Sequence, residues 1–312
     1  MPNSTQFPIL NPNNSLSYLP PGIAVQTEVY RYIVVSAAAA YGWELLSNTR
    51  AHYRLLFHYR LSAATIAYFV SIIATTIFVF ACLIFHIAPA DSCETVKVVL
   101  DTSYPIAIPA SSFLFLLRVR AIFAAEAAIQ RFFSILWLGV LGSALTFSFA
   151  LNAAHIGPTN YCTNTHTQPF ASAGQIAATV YDSLVFLAIS WRLSSNSMKG
   201  STPRERMGAF FGGKALPALS RGLLQGGQVY YLISVCGHVT SIAMLTTSSV
   251  PPLYHAILTT PIAALMNAMA CRVFRDIKGA LASLYSPSQH VSIADASRRS
   301  SVLVIGGCPI AQ

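Results

Sequence analysis

The chain has 312 residues, of which 54% are hydrophobic and only 9% charged, with mean hydropathy +0.56, whereas a soluble domain carries about 25% charged residues. That excludes a soluble globular protein and points to a chain that crosses a bilayer several times. The net charge of +9 is read as Lys and Arg gathered on cytosolic loops rather than as a nucleic-acid surface, and six cysteines in a chain of this length do not make a disulfide scaffold.

Residues 1–21 are rich in Asn, Pro and Ser and carry no charged side chain, so they read as a disordered outer tail. Met1 to Gly22 lacks the basic n-region and apolar h-region of a secretory signal, and the first span is expected to act as its own insertion signal. Asn3-Ser4-Thr5 and Asn13-Asn14-Ser15 are acceptor sequons, usable only on the luminal side. Seven apolar segments follow, at 22–46, 61–88, 96–123, 132–154, 173–193, 223–247 and 250–271. About 20 apolar residues suffice to cross a hydrocarbon core. The first segment is the weakest, because Glu28 and Arg31 sit in its outer part. The expected fold is therefore an all-α bundle of seven transmembrane helices. After it, Val273, Phe274, Ile277, Leu281 and Leu284 recur at three- and four-residue spacing among Arg272, Arg275, Asp276 and Lys278, which predicts an interfacial amphipathic helix over 272–285. A Ser-rich, disordered cytosolic tail is expected over 286–312.

Orientation follows from the basic residues. Every Lys and Arg except Arg31 and Lys97 falls at the ends of the third and fifth segments, in the loops after the first, third and fifth, or in the C-terminal tail. This asymmetry places the N-terminus outside and the C-terminus in the cytosol. Arg118 and Arg120 at the end of the third segment, with Arg204 and Arg206 in the loop after the fifth, are then candidates for touching a cytosolic signalling partner. Cys93 and Cys162 fall in outer loops on the oxidising side, which predicts a disulfide between them, against the alternative of two unrelated thiols. Cys82 and Cys236 read as intramembrane. Cys271 reads as an interfacial thiol at the cytosolic end, with palmitoylation as the alternative.

The fifth segment holds one carboxylate, Asp182, ten residues before Arg192, a depth of roughly 15 Å at 1.5 Å per helical residue. A charge there is costly and marks a candidate functional site. Gln175, Thr179, Asp182, Phe186 and Ser190 share one helical face. Candidates to face it are His238 on the sixth segment and Thr259, Thr260 and Asn267 on the seventh. One reading pairs Asp182 with His238, the carboxylate favouring the charged imidazole; the other makes Asp182 packing glue that hydrogen-bonds hydroxyls and amides. On the third segment Pro105 and Pro109 predict a kinked helix with freed carbonyls, as does Pro261 on the seventh. Asp101, Tyr104, Tyr254 and His255 lie at one depth and are candidates for lining an outer vestibule.

The sequence has no HExxH, no GxSxG, no phosphate-cradling glycine loop and no metal-ligand spacing among its histidines, so no cofactor, metal or catalytic residue is assigned. A hydrolase with dispersed Ser, His and Asp would leave no local signature. The seventh segment holds no lysine for a retinal Schiff base.

The strings WELLSNTRAHYRLLFHYRLSAATIAYFVSIIAT, IPASSFLFLLRVRAIF, HIGPTNYC, VYDSLVFLAISWRL, LPALSRGLLQGGQVYYL and LTTPIAALMNAMACRVFR resemble the uncharacterised multi-span membrane proteins abundant in basidiomycete fungi. The first string is similar to that family's N-terminal domain of unknown function, with Thr49-Arg50-Ala51 where an acidic residue is common. The resemblance implies a seven-helix topology and no activity. In outline the chain is also similar to G-protein-coupled receptors, although it has no Asp-Arg-Tyr triplet and carries Asn267-Ala268-Met269 where an Asn-Pro signature would stand. The leading expectation is a receptor-like sensor that couples an outer small ligand to a cytosolic partner, in the plasma membrane or an endomembrane. The alternatives are a proton-coupled carrier using Asp182 and a structural membrane-organising protein.

Overall fold

The computed structural model describes residues 15–58, 62–149, 151–167, 173–197, 228–247 and 252–285. Among them are eight α-helices, α1 (Pro21–Ser47), α2 (Thr49–Phe57), α3 (Ala63–Ile87), α4 (Cys93–Ile122), α5 (Ala127–Leu145), α6 (Ala173–Ser197), α7 (Gln228–Thr246) and α8 (Thr259–Tyr285), and one antiparallel hairpin of β1 (Leu151–His155) and β2 (Cys162–Thr167). Four segments, Ala63–Ile87, Cys93–Ile122, Ala127–Phe149 and Ala173–Arg192, are long and apolar enough to cross a membrane. Serine caps start two of them: the Ser62 and Ser92 hydroxyls accept from the Thr65 and Thr95 backbone N–H groups, meeting donors that a helix start leaves unpaired.

The pattern on α3 shows which solvent the protein is built for. Ile66, Val70, Ile73, Ile77, Ile84 and Ile87 form an exposed stripe, while Thr65, Ser71 and Thr75 point inward and are fully buried. Polar groups face the bundle and branched aliphatics face out. In water that stripe would be an aggregation surface; against lipid tails it is the natural arrangement. The chain is a helical membrane protein.

The long helices close into a ring: α1 packs on α3, α3 on α4, α4 on α5, α5 on α6, α6 on α7, α7 on α8 and α8 on α1. Helix α4 also touches α6 and α8 and so runs through the middle. The hairpin lies at the end of the bundle where α3 stops and α4 begins, joined by the Ala90 N–H to the Asn160 carbonyl at 2.7 Å. Helix α2 lies at the other end, its His52 bonded to Tyr68 near the start of α3.

Several boundaries depart from the sequence reading. The segment 132–154 is not one helix: it starts earlier, at Ala127, tightens into a 3-10 turn at Thr146–Phe149, and ends in strand β1. Leu151–His155 pairs with Cys162–Thr167, and that pairing overrides an apolar run too short to reveal its own type. The loop 47–60 contains helix α2. In the segment 250–271 a 3-10 turn at Pro252–Ala256 comes first and α8 begins at Thr259. The separate interfacial helix over 272–285 does not exist as a separate element, because α8 runs unbroken to Tyr285. Val273 and Phe274 are buried in the bundle, with Phe274 stacked on Tyr68. The sixth segment is helical as α7, and its first residues, 223–227, lie outside the described residues, as do 1–14 and 286–312.

Proline in α4 has a specific consequence. Pro105 has no N–H to offer the Asp101 carbonyl one turn back, and the Ser148 hydroxyl from the 3-10 turn supplies the missing bond at 2.6 Å. The freed carbonyl thus anchors the end of α5 to α4.

Candidate functional site

Two polar clusters occupy the interior, and a third closes the α2 end. The first is built by α6, α7 and α8. Asp182 and His238 are each at most 2% exposed, with His238 Nε2 3.2 Å from Asp182 Oδ2. The Gln175 amide lies 3.1 Å from His238 Nδ1. With Gln175 donating, Nδ1 is an acceptor and the ring proton sits on Nε2, where it meets Met266 Sδ at 2.9 Å as well as the carboxylate. The imidazole N–H is thus directed at the thioether, with the carboxylate close to the same nitrogen. Neither Asp182 oxygen has a well-directed hydrogen bond among the described residues. Thr179 does not supply one, since its hydroxyl bonds to the Gln175 carbonyl at 2.8 Å. The Ser190 hydroxyl, on the same face, is likewise buried with no partner among the described residues. In this tautomer the imidazole presents an N–H and has no proton to give up, so the carboxylate, whose oxygens have no hydrogen-bond partner among the described residues, is the member of the pair with a vacant place for one.

The second cluster gathers four helices on Asn267. Its amide donates to Ser71 of α3 and to Ser111 of α4, the latter at 3.1 Å, and its carbonyl accepts from Tyr41 of α1 at 2.8 Å. Ser71 and Ser111 also bond to each other at 3.0 Å. The sequence grouped Asn267 with Asp182 and His238; the structure places it in this separate hub. Adjacent positions of a helix point about 100° apart, so Met266 serves one cluster and Asn267 the other.

The third cluster lies a little over two turns further along α8. Arg275 pairs with Glu44 of α1 at 2.8 Å and donates to the Tyr68 hydroxyl at 3.3 Å. Tyr68 in turn lies 2.9 Å from His52 Nδ1. With the His52 proton on Nε2, Nδ1 accepts from the Tyr68 hydroxyl, whose oxygen accepts from Arg275. Burial, and then the Arg275 guanidinium, hold the His52 imidazole below its usual pKa, which keeps the ring neutral. Tyr41, Glu44, His52, Asn267, Cys271 and Arg275 line a small recess between the second and third clusters.

Other candidates fall elsewhere. Asp101 pairs with Lys97 at 3.1 Å, and Tyr104 is fully buried, stacked on Phe147. Tyr254 sits in the 3-10 turn that packs against α1. No hydrogen bond or ring contact joins these three among the described residues, and the His255 side chain lies outside them. Arg120 donates to Ser134 at 2.9 Å; Arg118 is half-buried near the same end of α4. Asn3, Asn13, Arg204 and Arg206 lie outside the described residues. Cys93 and Cys162 are bonded as a disulfide. Cys271 is 2% exposed, with its sulfur 3.6 Å from the Asn267 carbonyl oxygen, so its thiol faces the bundle interior.

Sequence reasoning missed Met266, Glu44, His52, Tyr68 and Arg275. Met266 reads as one more apolar residue, and the other four become neighbours only when α1, α2, α3 and α8 pack. No family model matches the chain and no curated protein matches it.

Proposed function

We propose that this protein is a receptor-like membrane sensor with seven spans, its N-terminus outside and its C-terminus in the cytosol, which transmits an outer signal to a cytosolic partner without catalysis of its own. The observation that carries the reading is the course of α8. A single unbroken helix contacts the Asp182–His238 pair through Met266, the four-helix hub through Asn267, and the Glu44–Tyr68–His52 cluster through Arg275. From residue 266 to 275 is about 13.5 Å at 1.5 Å per residue. A change in how His238 holds Met266 therefore bears on a rigid rod whose far end is held by an ion pair. Two discrete arrangements of such a rod are what coupling between distant sites requires. In the proposed topology Arg275 lies on the cytosolic side, with Arg118, Arg120, Arg204 and Arg206.

Proximity labelling from a tag fused after Gln312 tests this, in cells making wild-type or Arg275→Gln protein. Enrichment of soluble signalling proteins, altered by the substitution, is the expected result. Labelling confined to secretory machinery and bulk membrane proteins in both strains contradicts it. A second reading, a proton-coupled carrier, is favoured by the Asp182 oxygens, which have no directed donor among the described residues. It predicts pH-dependent flux in reconstituted vesicles that Asp182→Asn abolishes.

A further inference from the structure

The hairpin places a histidine on the disulfide. His155 of β1 faces Cys162 of β2 across the ladder, and Cys162 is bonded to Cys93, the first residue of α4. His155 Nδ1 lies 3.4 Å from Cys93 Sγ. The three ligand-type atoms, from three different elements, lie within 4.8 Å of one another. Both sulfurs belong to buried residues while His155 is exposed, so the imidazole is the member of the cluster that meets solvent.

Tetrahedral zinc binds thiolate sulfur at about 2.3 Å and imidazole nitrogen at about 2.0–2.1 Å, which sets sulfur and nitrogen ligands about 3.5 Å apart and two sulfurs about 3.8 Å apart. The edge from His155 to Cys93 already has that length, and the edge from His155 to Cys162 is no longer than 4.8 Å. The sulfur-to-sulfur edge is short because the two atoms are bonded.

We propose that Cys93, Cys162 and His155 form a redox-gated site for Zn2+, closed while the disulfide stands and open once a dithiol reductant has cleaved it. The dithiol supplies two electrons and two protons, becoming a disulfide itself and leaving two protein thiols. The metal then displaces two protons to solvent and is held by two thiolates and the neutral imidazole, with water in the fourth position. The same sulfurs serve both states, so bridge and metal exclude each other. Either one ties the hairpin to the start of α4, so reduction in the presence of zinc exchanges one clamp for another.

The test uses full-chain protein in nanodiscs with Co2+ as the probe, because tetrahedral thiolate-bound Co2+ absorbs in the visible. Oxidised protein is expected to give no band. Protein reduced with a dithiol and freed of it anaerobically is expected to give one that saturates at one Co2+ per chain. His155→Ala leaves the disulfide in place for folding, and after reduction it is expected to bind Co2+ more than about tenfold more weakly, at least the loss seen when an outer-shell partner is removed. Cys93→Ser combined with Cys162→Ser is expected to remove the band, although Cys82, Cys236, Cys271 and Cys308 remain. The absence of a band in reduced wild-type protein overturns the proposal. So does equal affinity in His155→Ala, or loss of helicity on reduction that Co2+ does not restore.

Discussion

Asn267 and Thr179 are both buried polar residues of the bundle interior, and they stand to lose very different amounts. Removing the Asn267 amide leaves the Tyr41 hydroxyl without its acceptor and Ser71 and Ser111 without a donor. At about 1–3 kcal/mol for each buried group left unpaired, and with Ser71 and Ser111 still able to bond each other, Asn267→Ala is expected to cost about 2–4 kcal/mol. Thr179→Val keeps the shape and gives up only a bond to a carbonyl of its own helix, so the expected cost is below about 1 kcal/mol. Thermal unfolding in one detergent ranks the two, and equal losses would remove Asn267 from the role of hub. Asp182 was legible from the sequence because a carboxylate in an apolar run has no lipid-facing explanation, and its partner His238 stood at similar depth on the next helix. Met266 was not legible, because a thioether in such a run carries no mark that separates a contact to imidazole from a contact to lipid.

Elements are joined at their ends by groups that respond to solution conditions or to single substitutions. His52 lies on α2 with Nδ1 2.9 Å from the Tyr68 hydroxyl. An unfolded histidine takes up its proton near pH 6.5, whereas in the folded protein burial and Arg275 lower the pKa. Above about pH 6.5 both states are neutral and the contribution is complete; as pH falls below that value the unfolded chain binds the proton first and stability is lost. His52→Gln is expected to flatten this fall, and an unchanged acid limb between about pH 6.5 and the folded pKa would show that another group is responsible. At the other end of the bundle, Ser148→Ala takes away the donor that replaces the N–H missing at Pro105, with an expected loss of about 1–3 kcal/mol in unfolding free energy. Pro105→Ala made together with it restores an N–H and should recover most of that loss. The prolines were legible as kink positions, but the group that satisfies the freed carbonyl was not, since Ser148 lay in a stretch read as uninterrupted helix. The hairpin was hidden for the same reason: Leu-Asn-Ala-Ala-His continues an apolar helix in composition, and only pairing with Cys162–Thr167 makes it a strand.

At the scale of the whole molecule, the membrane character was plain from composition, because a soluble fold cannot leave so many branched aliphatics exposed. The order of packing was not, because which helix runs through the middle depends on contacts that no local pattern encodes; α4 reaches α6 and α8 as well as its neighbours in sequence. The proposed topology predicts that Asn3 and Asn13 are glycosylated in the secretory pathway, seen as a mobility shift removed by endoglycosidase and by Asn3→Gln with Asn13→Gln. A tag after Gln312 is expected to be protease-sensitive only when the membrane is opened. Helix α8 links the Asp182–His238 pair to the cluster held by Glu44 and Arg275. Hydrogen–deuterium exchange of wild-type and Asp182→Asn protein in nanodiscs tests it most directly. The account predicts altered exchange both around Met266 and in α2 and the 272–285 end of α8. A change confined to α6 and α7, with α2 and the end of α8 exchanging as in wild type, would contradict it.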